Sequence, residues 1–286
     1  MTTTLITGAA GMLGHKVASA LCADFSVVTV TRRPNDLAGV RTVELDLRDI
    51  EAVEVMLDEI RPKFIVNCAG IIKQRINQTG LADAMLVNAC LPHALGAWSQ
   101  EHDARLIHVS TDCVFSGDRE GAPYRESDPI DATDLYGYSK AAGEVWSLPS
   151  TVTLRTSIIG PEISTRKYGL LEWFLEQPSE GTVKGFSNHL WSGVTTVELA
   201  RLIRHILVGH PQLTGLYQVA SEPISKLDLL RTIASCFAHT TRIEPFETET
   251  AVSRVLDGTR LREATGYTPP PIQTQLENLC SSANMS

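Results

Sequence analysis

The residues best able to do chemistry in this 286-residue chain are a tyrosine and a lysine four positions apart. Tyr136 and Lys140 lie in a segment predicted to be helical, so their side chains share one face. An ammonium beside a phenol favours the phenolate and lowers the tyrosine pKa, which suits proton transfer at neutral pH. The neighbouring Tyr138 has no lysine four residues later. We therefore predict that Tyr136 and Lys140 form a proton-transfer pair, although such a pair alone is a weak signal.

A second candidate group stands where the fifth predicted strand, 105–110, comes to its end. The residues there are Ser110-Thr111-Asp112. Because open α/β sheets bind their ligands at the carboxyl ends of the strands, we expect the Thr111 hydroxyl to face a ligand. A strand-end hydroxyl followed by a Tyr–Lys helix becomes a specific signal when a glycine-rich turn precedes both of them in the chain.

Such a turn opens the sequence, between the first predicted strand and the first predicted helix. Its glycines fall at G-x-x-G-x-x-G spacing in the segment 7–14. Glycines allow a tight turn, and the helix that follows offers free backbone N–H groups to a pyrophosphate. The alternative is a glycine-rich turn with no ligand, but the placement favours a dinucleotide site. The predicted contacts are Gly8, Gly11, Met12 and Leu13.

The end of the second predicted strand indicates which dinucleotide binds. An acid there would bind the ribose of NAD, whereas arginine accommodates the 2′-phosphate of NADP. This chain has Arg32 and Arg33 at that point and no acid before Asp36. We predict NADP, with NAD as the alternative cofactor and with two solvated surface charges as the competing interpretation. Asp46 and Leu47 follow the third strand and are predicted to meet the adenine, although an N-cap role competes for Asp46.

The elements that must position these residues alternate between strands and helices through the first half of the chain. Segments rich in β-branched residues predict strands, and segments with helical periodicity predict helices between them. The alternation predicts an α/β fold with a parallel, doubly wound sheet of the Rossmann type. The predicted strands are 3–7, 25–30, 42–45, 64–67, 105–110 and 151–155, and the predicted helices are 11–23, 50–60, 81–101 and 135–146.

The pattern changes after Gly160-Pro161, where loops lengthen and glycines interrupt the segments. We predict a dinucleotide-binding domain over residues 1–160 and a smaller, mainly substrate-binding lobe over 161–286. Segments at about 190–220 are candidates to return to the main sheet.

Composition narrows the partners that the chain can take. The formal net charge is −8, which disfavours nucleic acid and anionic membranes as partners. No apolar run approaches the roughly 20 residues that span a bilayer, and the N-terminus lacks a signal segment. Six scattered cysteines predict buried thiols in a reducing compartment, and eight dispersed histidines predict no metal site. These features predict a cytoplasmic protein.

Taken together, the motifs resemble those of the extended short-chain dehydrogenase/reductases, and more narrowly of the dTDP-4-dehydrorhamnose reductase family. The resemblance is strong over the N-terminal two thirds of the chain and looser beyond. The matching stretches are 7–14, Ser110-Thr111-Asp112-Cys113-Val114-Phe115-Ser116-Gly117, Pro123-Tyr124-Arg125-Glu126, 136–144, Leu154-Arg155-Thr156-Ser157 and Val255-Leu256-Asp257.

The resemblance implies a role for each candidate residue. Tyr136 would be the general acid that protonates the C4 oxygen of a sugar, and Lys140 would hold the nicotinamide ribose and lower the tyrosine pKa. Thr111 would hydrogen-bond the sugar carbonyl. The segment Asn67-Cys68-Ala69-Gly70 would run along the cofactor, and Asn88 would help to structure the site.

The resemblance also implies substrate contacts at Asp112, Cys113, Ile158 and Trp191. Rhamnose-forming relatives often carry tryptophan at the position of Ile158 and tyrosine at that of Cys113, which leaves the sugar open. Trp191 either stacks on a base or sugar or is a buried core residue.

The function that this resemblance implies is NADPH-dependent reduction of the C4 ketone of a nucleotide-activated 4-keto-6-deoxy sugar. Such a reaction belongs to deoxysugar and polysaccharide precursor biosynthesis, including lipopolysaccharide. The first alternative is an epimerase or dehydratase that retains NAD, and the second is a non-catalytic regulatory subunit. The implied partner is the nucleotide sugar, and a homodimer is an open expectation.

Overall fold

A computed structural model describes residues 1–32, 39–119, 121–163 and 167–283. Its main sheet has seven strands, all paired in parallel. The strands of all the sheets, numbered in chain order over the described residues, are β1 (Thr3–Thr7), β2 (Ser26–Thr31), β3 (Arg41–Glu44), β4 (Phe64–Asn67), β5 (Arg105–Val109), β6 (Thr151–Arg155), β7 (Ile158–Ile159), β8 (Thr182–Phe186), β9 (His189–Trp191), β10 (Val194–Thr195), β11 (Gly215–Gln218), β12 (Ile224–Ser225), β13 (Arg242–Phe246) and β14 (Val252–Ser253).

The order across the main sheet is β11-β6-β5-β4-β1-β2-β3, which is a doubly wound arrangement. The strand order reverses between β1 and β4, which pair in register from Thr4 opposite Phe64 to Thr7 opposite Asn67. Ligands of such sheets bind in the crevice beyond this reversal, so the α/β prediction also gives the place of the site.

Helices cover both faces of the main sheet and also occur in the C-terminal part. They are α1 (Gly14–Leu21), α2 (Ile50–Ile60), α3 (Lys73–Thr79), α4 (Leu81–Met85), α5 (Leu91–Glu101), α6 (Leu135–Ala142), α7 (Leu170–Leu175), α8 (Thr196–Gly209), α9 (Lys226–Cys236), α10 (Thr259–Thr265) and α11 (Ile272–Ala283). A π-helical turn, Leu86–Cys90, joins α4 to α5.

Two apolar cores hold the helices against the sheet. On one face α1 and α8 pack together, with Val17 and Leu202 fully buried. On the other face α2 and α5 pack, with Leu57 and Leu95 fully buried. Burial of these side chains is the main source of stability for the layers, at roughly 1.5–3 kcal/mol for each large aliphatic residue.

The residues after β7 add small sheets beside the main one. Strands β12, β9 and β14 form one of these sheets, and β13 pairs with β8 in another. Their shared core includes Phe174, Leu229 and Leu276, which α7, α9 and α11 contribute. Strand β11 leaves this region and pairs with β6 at the edge of the main sheet.

The sequence located most elements, and the differences have local causes. The first helix begins at Gly14 instead of residue 11, because residues 8–11 form a turn closed by a bond from Gly11 N to Gly8 O. The predicted helix 135–146 ends at Ala142, just before Gly143. The predicted helix 81–101 is divided by its π-helical turn, and α3 was not predicted, since Lys73–Thr79 has little apolar periodicity.

The cysteine prediction was wrong about burial. Cys22 and Cys90 are exposed, the other four are half-buried, and all six are free thiols. Within the described residues, no helix has both the length and the apolar content needed to cross a bilayer.

Candidate active site

A cleft of about 1140 Å³ opens at the carboxyl ends of the central strands. Its walls come from the turn after β1, from the segments after β4 and β5, from the first turn of α6 and from the residues after β6. The cleft is larger than the roughly 300–1,000 Å³ of a pocket for a small ligand, so it has room for an extended one.

The glycine turn forms the floor at one end of this cleft. Gly11, Met12 and Leu13 line it directly. Gly8 has a positive φ of 70°, and a Cβ there would lie 2.7 Å from the backbone nitrogen of Ala69. Gly8 therefore lets the turn after β1 approach the segment after β4, instead of forming the cleft wall itself. Of the four residues predicted to contact the dinucleotide in this turn, Gly11, Met12 and Leu13 line the cleft, and Gly8 is not among the described lining residues.

The segment after β4 lies beside the turn. Cys68, Ala69 and Gly70 all line the cleft. A Cβ added to Gly70 would lie 3.9 Å from Lys140 Nζ, so a side chain there would enter the space in front of the lysine. Burial raises the pKa of the Cys68 thiol to about 12, which keeps that thiol protonated.

The residues predicted to distinguish NADP from NAD and to contact the adenine have different outcomes in the structure. Arg32 is exposed and lines the cleft, whereas Arg33 lies outside the described residues. The side chain of Asp46 is held by Arg48, whose Nη2 lies 2.5 Å from Oδ2. Leu47 is buried in the core between sheet and helices. Since neither Asp46 nor Leu47 is among the described residues that line the cleft, their predicted adenine contact gains no support.

Thr111, Tyr136 and Lys140 line the same cleft as the glycine turn. Thr111 follows β5 and accepts a hydrogen bond from Cys113 N at 3.2 Å. Tyr136 lies in the first turn of α6, which begins where the Asp134 carboxylate accepts a bond from Gly137 N at 2.8 Å. The Lys140 ammonium is buried and donates to Val109 O at 2.8 Å.

The electrostatic environment of Tyr136 keeps its phenol protonated at neutral pH. Burial raises the pKa of Tyr136, the charges of nearby acidic groups add to the rise, and a hydrogen bond with Thr111 opposes it. Burial also lowers the pKa of Lys140 to about 8, against the opposing charge of Glu144. In the chain by itself burial outweighs any lowering of the Tyr136 pKa by Lys140, so the expected net direction is wrong. The phenol therefore carries its proton at neutral pH, as a general acid must, although the raised pKa makes it a weaker acid than a free tyrosine.

Asn88 fixes the geometry around the pair from the π-helical turn. Its Oδ1 accepts from Ile71 N at 2.7 Å, and its Nδ2 donates to Ile71 O and to Ser139 Oγ, both at 2.9 Å. Ser139 in turn donates to Tyr136 O at 2.9 Å. The side chain of Asn88 thus ties the cleft segment after β4 to the helix that carries the tyrosine and lysine.

Of the four residues predicted to contact the substrate, three line the cleft and one is buried in the core. Asp112, Cys113 and Ile158 line the cleft. Trp191 is buried, donates from Nε1 to Ser157 Oγ at 2.8 Å and is not among the described lining residues. Of the two interpretations of Trp191, the structure favours the core residue and gives no support to the substrate contact.

Sequence analysis did not identify the residues of α3 that line the cleft. Lys73 and Arg75 line the cleft, and Lys73 also bonds Asp134 at 2.7 Å. The sequence signal for them was weak, since charged residues on a short polar helix are usually solvated.

Two cations from the C-terminal part lie near Asp112. Arg254 and Lys226 stabilise the charged form of Asp112 against the burial that raises its pKa.

Comparison with known proteins agrees with this arrangement. The family model described as the RmlD substrate binding domain matches residues 1–284. This chain belongs to the RmlD family. A dTDP-4-dehydrorhamnose reductase from Aggregatibacter actinomycetemcomitans is 27% identical over 297 residues, covering 96% of this chain and 97% of that protein. The match along nearly the whole chain confirms the family that the sequence motifs indicated.

Solved structures share the fold of this RmlD-family chain. A dTDP-4-dehydrorhamnose reductase from Clostridium acetobutylicum ATCC 824 superposes with a TM-score of 0.81 at 22% identity, over 99% of this chain and 100% of that one. A second, from Bacillus anthracis str. Ames in complex with NADP, gives 0.80 at 23% identity, over 99% and 100%. The Rossmann-type α/β prediction is confirmed.

Proposed function

We propose that this chain is an NADPH-dependent reductase that converts the C4 ketone of a nucleotide-activated 4-keto-6-deoxy sugar into an alcohol. The observation that carries the proposal is that Thr111, a protonated Tyr136 and Lys140 line one cleft together with the glycine turn after β1. The activity named for the relative from Aggregatibacter actinomycetemcomitans supports it. Such a reaction serves deoxysugar and polysaccharide precursor biosynthesis.

The residues present fit NADPH. Gly11, Ala69 and Gly70 carry no side chain or a single methyl group, so a diphosphate can approach their backbone closely. Arg32 follows β2, where folds of this type recognise a 2′-phosphate, and the family resemblance supports Lys140 as the partner of the nicotinamide ribose. Bound NADPH would supply the hydride that reduces the carbonyl carbon.

The chain's own residues then supply the proton and the orientation. Tyr136 donates its phenolic proton to the carbonyl oxygen, so that hydride and proton together give the alcohol. Thr111 donates a hydrogen bond to the same oxygen and fixes its direction. Lys140 is charged below its pKa of about 8 and stabilises the phenolate that the transfer leaves behind.

The test is a screen of purified protein with 4-keto-6-deoxy sugars carried on dTDP, UDP or GDP, followed by loss of NADPH absorbance. Oxidation of NADPH in proportion to the alcohol formed supports the reductase. An NAD that stays bound through purification, with no net cofactor turnover, would instead indicate the epimerase or dehydratase. Absence of any cofactor binding would indicate the regulatory subunit.

Arg32→Ala should raise the KM for NADPH about tenfold or more and change the KM for NADH little. The reason is that the guanidinium meets only the 2′-phosphate, and a hydrogen bond between charged groups contributes about 1.5–3 kcal/mol. Steady-state kinetics with both cofactors measure the ratio. Arg75→Ala is the matched control, since Arg75 is another exposed arginine of the same cleft. Equal losses for both cofactors in Arg32→Ala contradict the role.

Two further expectations belong to this proposal. Exposed apolar side chains at Leu135, Tyr138 and Trp146 lie on or just after α6 and support a homodimer, which light scattering of the purified chain measures.

A cytoplasmic location suits a reaction that consumes NADPH and an activated sugar, and cell fractionation tests it.

A further inference from the structure

Two of the six cysteines meet where α11 packs against the end of α9. Cys236 is the last residue of α9, and Cys280 lies in α11, 44 positions later in the chain. The Sγ of Cys280 donates a hydrogen bond to the backbone oxygen of Cys236 at 3.2 Å. Both residues are half-buried free thiols, so each is partly open to a small reagent in solvent.

This contact brings the two cysteine side chains within reach of each other. Standard bond lengths place a backbone oxygen about 2.4 Å from its own Cα, so the Cys280 sulfur lies within about 5.6 Å of the Cys236 Cα. A disulfide needs Cα atoms about 4.4–6.8 Å apart and sulfur atoms about 2 Å apart. Turning the Cys280 side chain from the carbonyl towards the Cys236 sulfur breaks one hydrogen bond from a thiol, which is a weak donor.

The two helices hold the cysteines in one apolar core. Cys236 packs against the core to which α11 contributes Leu276. The side chain of Gln275, in the same helix, accepts a hydrogen bond from Thr195 N at 2.9 Å. These contacts keep α11 in place, so the Cys280 sulfur stays beside the end of α9 in the folded chain.

The surroundings of the pair favour Cys280 as the first sulfur to react. Burial raises the pKa of the Cys236 thiol, and the negative charges of Glu277 and of an ionised Cys280 raise it further. Because the thiolate is the nucleophile in thiol–disulfide exchange, a raised pKa disfavours Cys236 as the first attacking sulfur. Cys236 is therefore suited to the second step, in which it attacks a Cys280 that is already oxidised.

We propose that Cys236 and Cys280 form a reversible disulfide in the folded protein when a small-molecule disulfide such as oxidised glutathione is present, and that this bond fastens α11 to α9. The loop that the bond closes contains Arg254, which donates to Phe115 O and Ser116 O, both at 2.8 Å. The closed loop thus includes the residue that holds the segment after β5. The proposal concerns the thiols alone and does not depend on the reaction that the cleft performs.

The exchange balances in two steps. The Cys280 thiolate attacks one sulfur of oxidised glutathione, the S–S bond of glutathione breaks, and one glutathione leaves as a thiolate that takes a proton from water. Cys236 then gives its proton to water, and its sulfur attacks the Cys280 sulfur of the mixed disulfide and releases the second glutathione. The two cysteines together lose two electrons and two protons, and oxidised glutathione is reduced to two molecules of glutathione.

The experiment treats the whole reduced protein with buffers in which the ratio of oxidised to reduced glutathione is raised stepwise. Free thiols are then alkylated, and mass spectrometry of the digest follows the cross-link between the Cys236 and Cys280 peptides. The cross-linked fraction should rise with the ratio and disappear after dithiothreitol. The melting temperature of the cross-linked protein should rise by about 5 °C or more, because the bond restricts the unfolded chain over a long loop.

Three variants separate the disulfide from the hydrogen bond. Cys280→Ser keeps a donor to Cys236 O, so the reduced variant should melt near wild type and should lose the response to oxidised glutathione. Cys236→Ser removes the second sulfur and should accumulate the mixed disulfide at Cys280. Cys22→Ser is the matched control, because the Cys22 Sγ makes the same kind of bond to Ala18 O at 3.0 Å. It should keep both the cross-link and the rise in melting temperature.

The absence of the cross-link at a large excess of oxidised glutathione overturns the proposal, and so does a cross-link that forms only in urea. Separate glutathione adducts on Cys236 and Cys280 of the wild type, or a disulfide between two chains through Cys280, overturn it as well. A cross-link that leaves the melting temperature unchanged or lower overturns the fastening of α11. Failure of every sugar in the substrate screen would remove the proposed function and leave the disulfide result as it stands.

Discussion

Tyr136→Phe should lower kcat for carbonyl reduction by about 10²- to 10⁴-fold, which is the usual contribution of a positioned general acid. The change removes one hydroxyl and keeps the ring that lines the cleft. Because the proton is needed only as the carbonyl is reduced, the affinity for NADPH should stay within about twofold. Stopped-flow or steady-state turnover with saturating NADPH, together with a fluorescence titration of NADPH, separates the two effects.

The chain carries a matched control two residues away. Tyr138→Phe makes the same chemical change on the same helix, at a side chain that is 58% exposed and is not among the described lining residues. Its kcat should equal that of wild type. A Tyr136→Phe enzyme with normal kcat would remove the tyrosine from the mechanism, and an equal loss in both variants would point to damage of α6 instead.

The order of elements could be predicted from the sequence because each carries a local signal. Alternation of β-branched strands with amphipathic helices predicted the parallel sheet, and the spacing of glycines from Gly8 to Gly14 predicted the glycine turn after β1. The site residues Thr111, Tyr136 and Lys140 followed from their positions at a strand end and on one helix face. The structure adds their common cleft, which depends on the strand order and not on any local pattern.

Other properties of the site depend on long-range contacts that a sequence does not display. The pKa of Tyr136 follows mainly from desolvation in the cleft, so a rule about neighbouring lysines gave the wrong net direction. The π-helical turn that carries Asn88 has the composition of an ordinary helix. Leu47 was assigned to binding because of its position, and Trp191 was left open between a substrate contact and the core; both pack in the core.

Gly143→Ala should be the most damaging single-methyl change near the site. A Cβ at Gly143 would lie 1.9 Å from the carbonyl oxygen of Asn88 and 3.1 Å from the Cα of Ala89. Both contacts are backbone, so no side-chain rotation relieves them, and the end of α6 must move away from the π-helical turn. We expect a loss of about 3 kcal/mol or more in the free energy of unfolding, measured by urea denaturation.

The same clash should reduce catalysis in the molecules that still fold. Moving Asn88 would break its bonds to Ile71 and Ser139, which align the cleft wall with the Tyr136 helix, so kcat should fall while a folded fraction remains. Gly209→Ala is the control, because a Cβ there meets nothing within 4 Å at the end of α8, and it should leave stability within about 1 kcal/mol. Equal stability of the two variants would mean that α6 and the π-helical turn do not pack as closely as these contacts require.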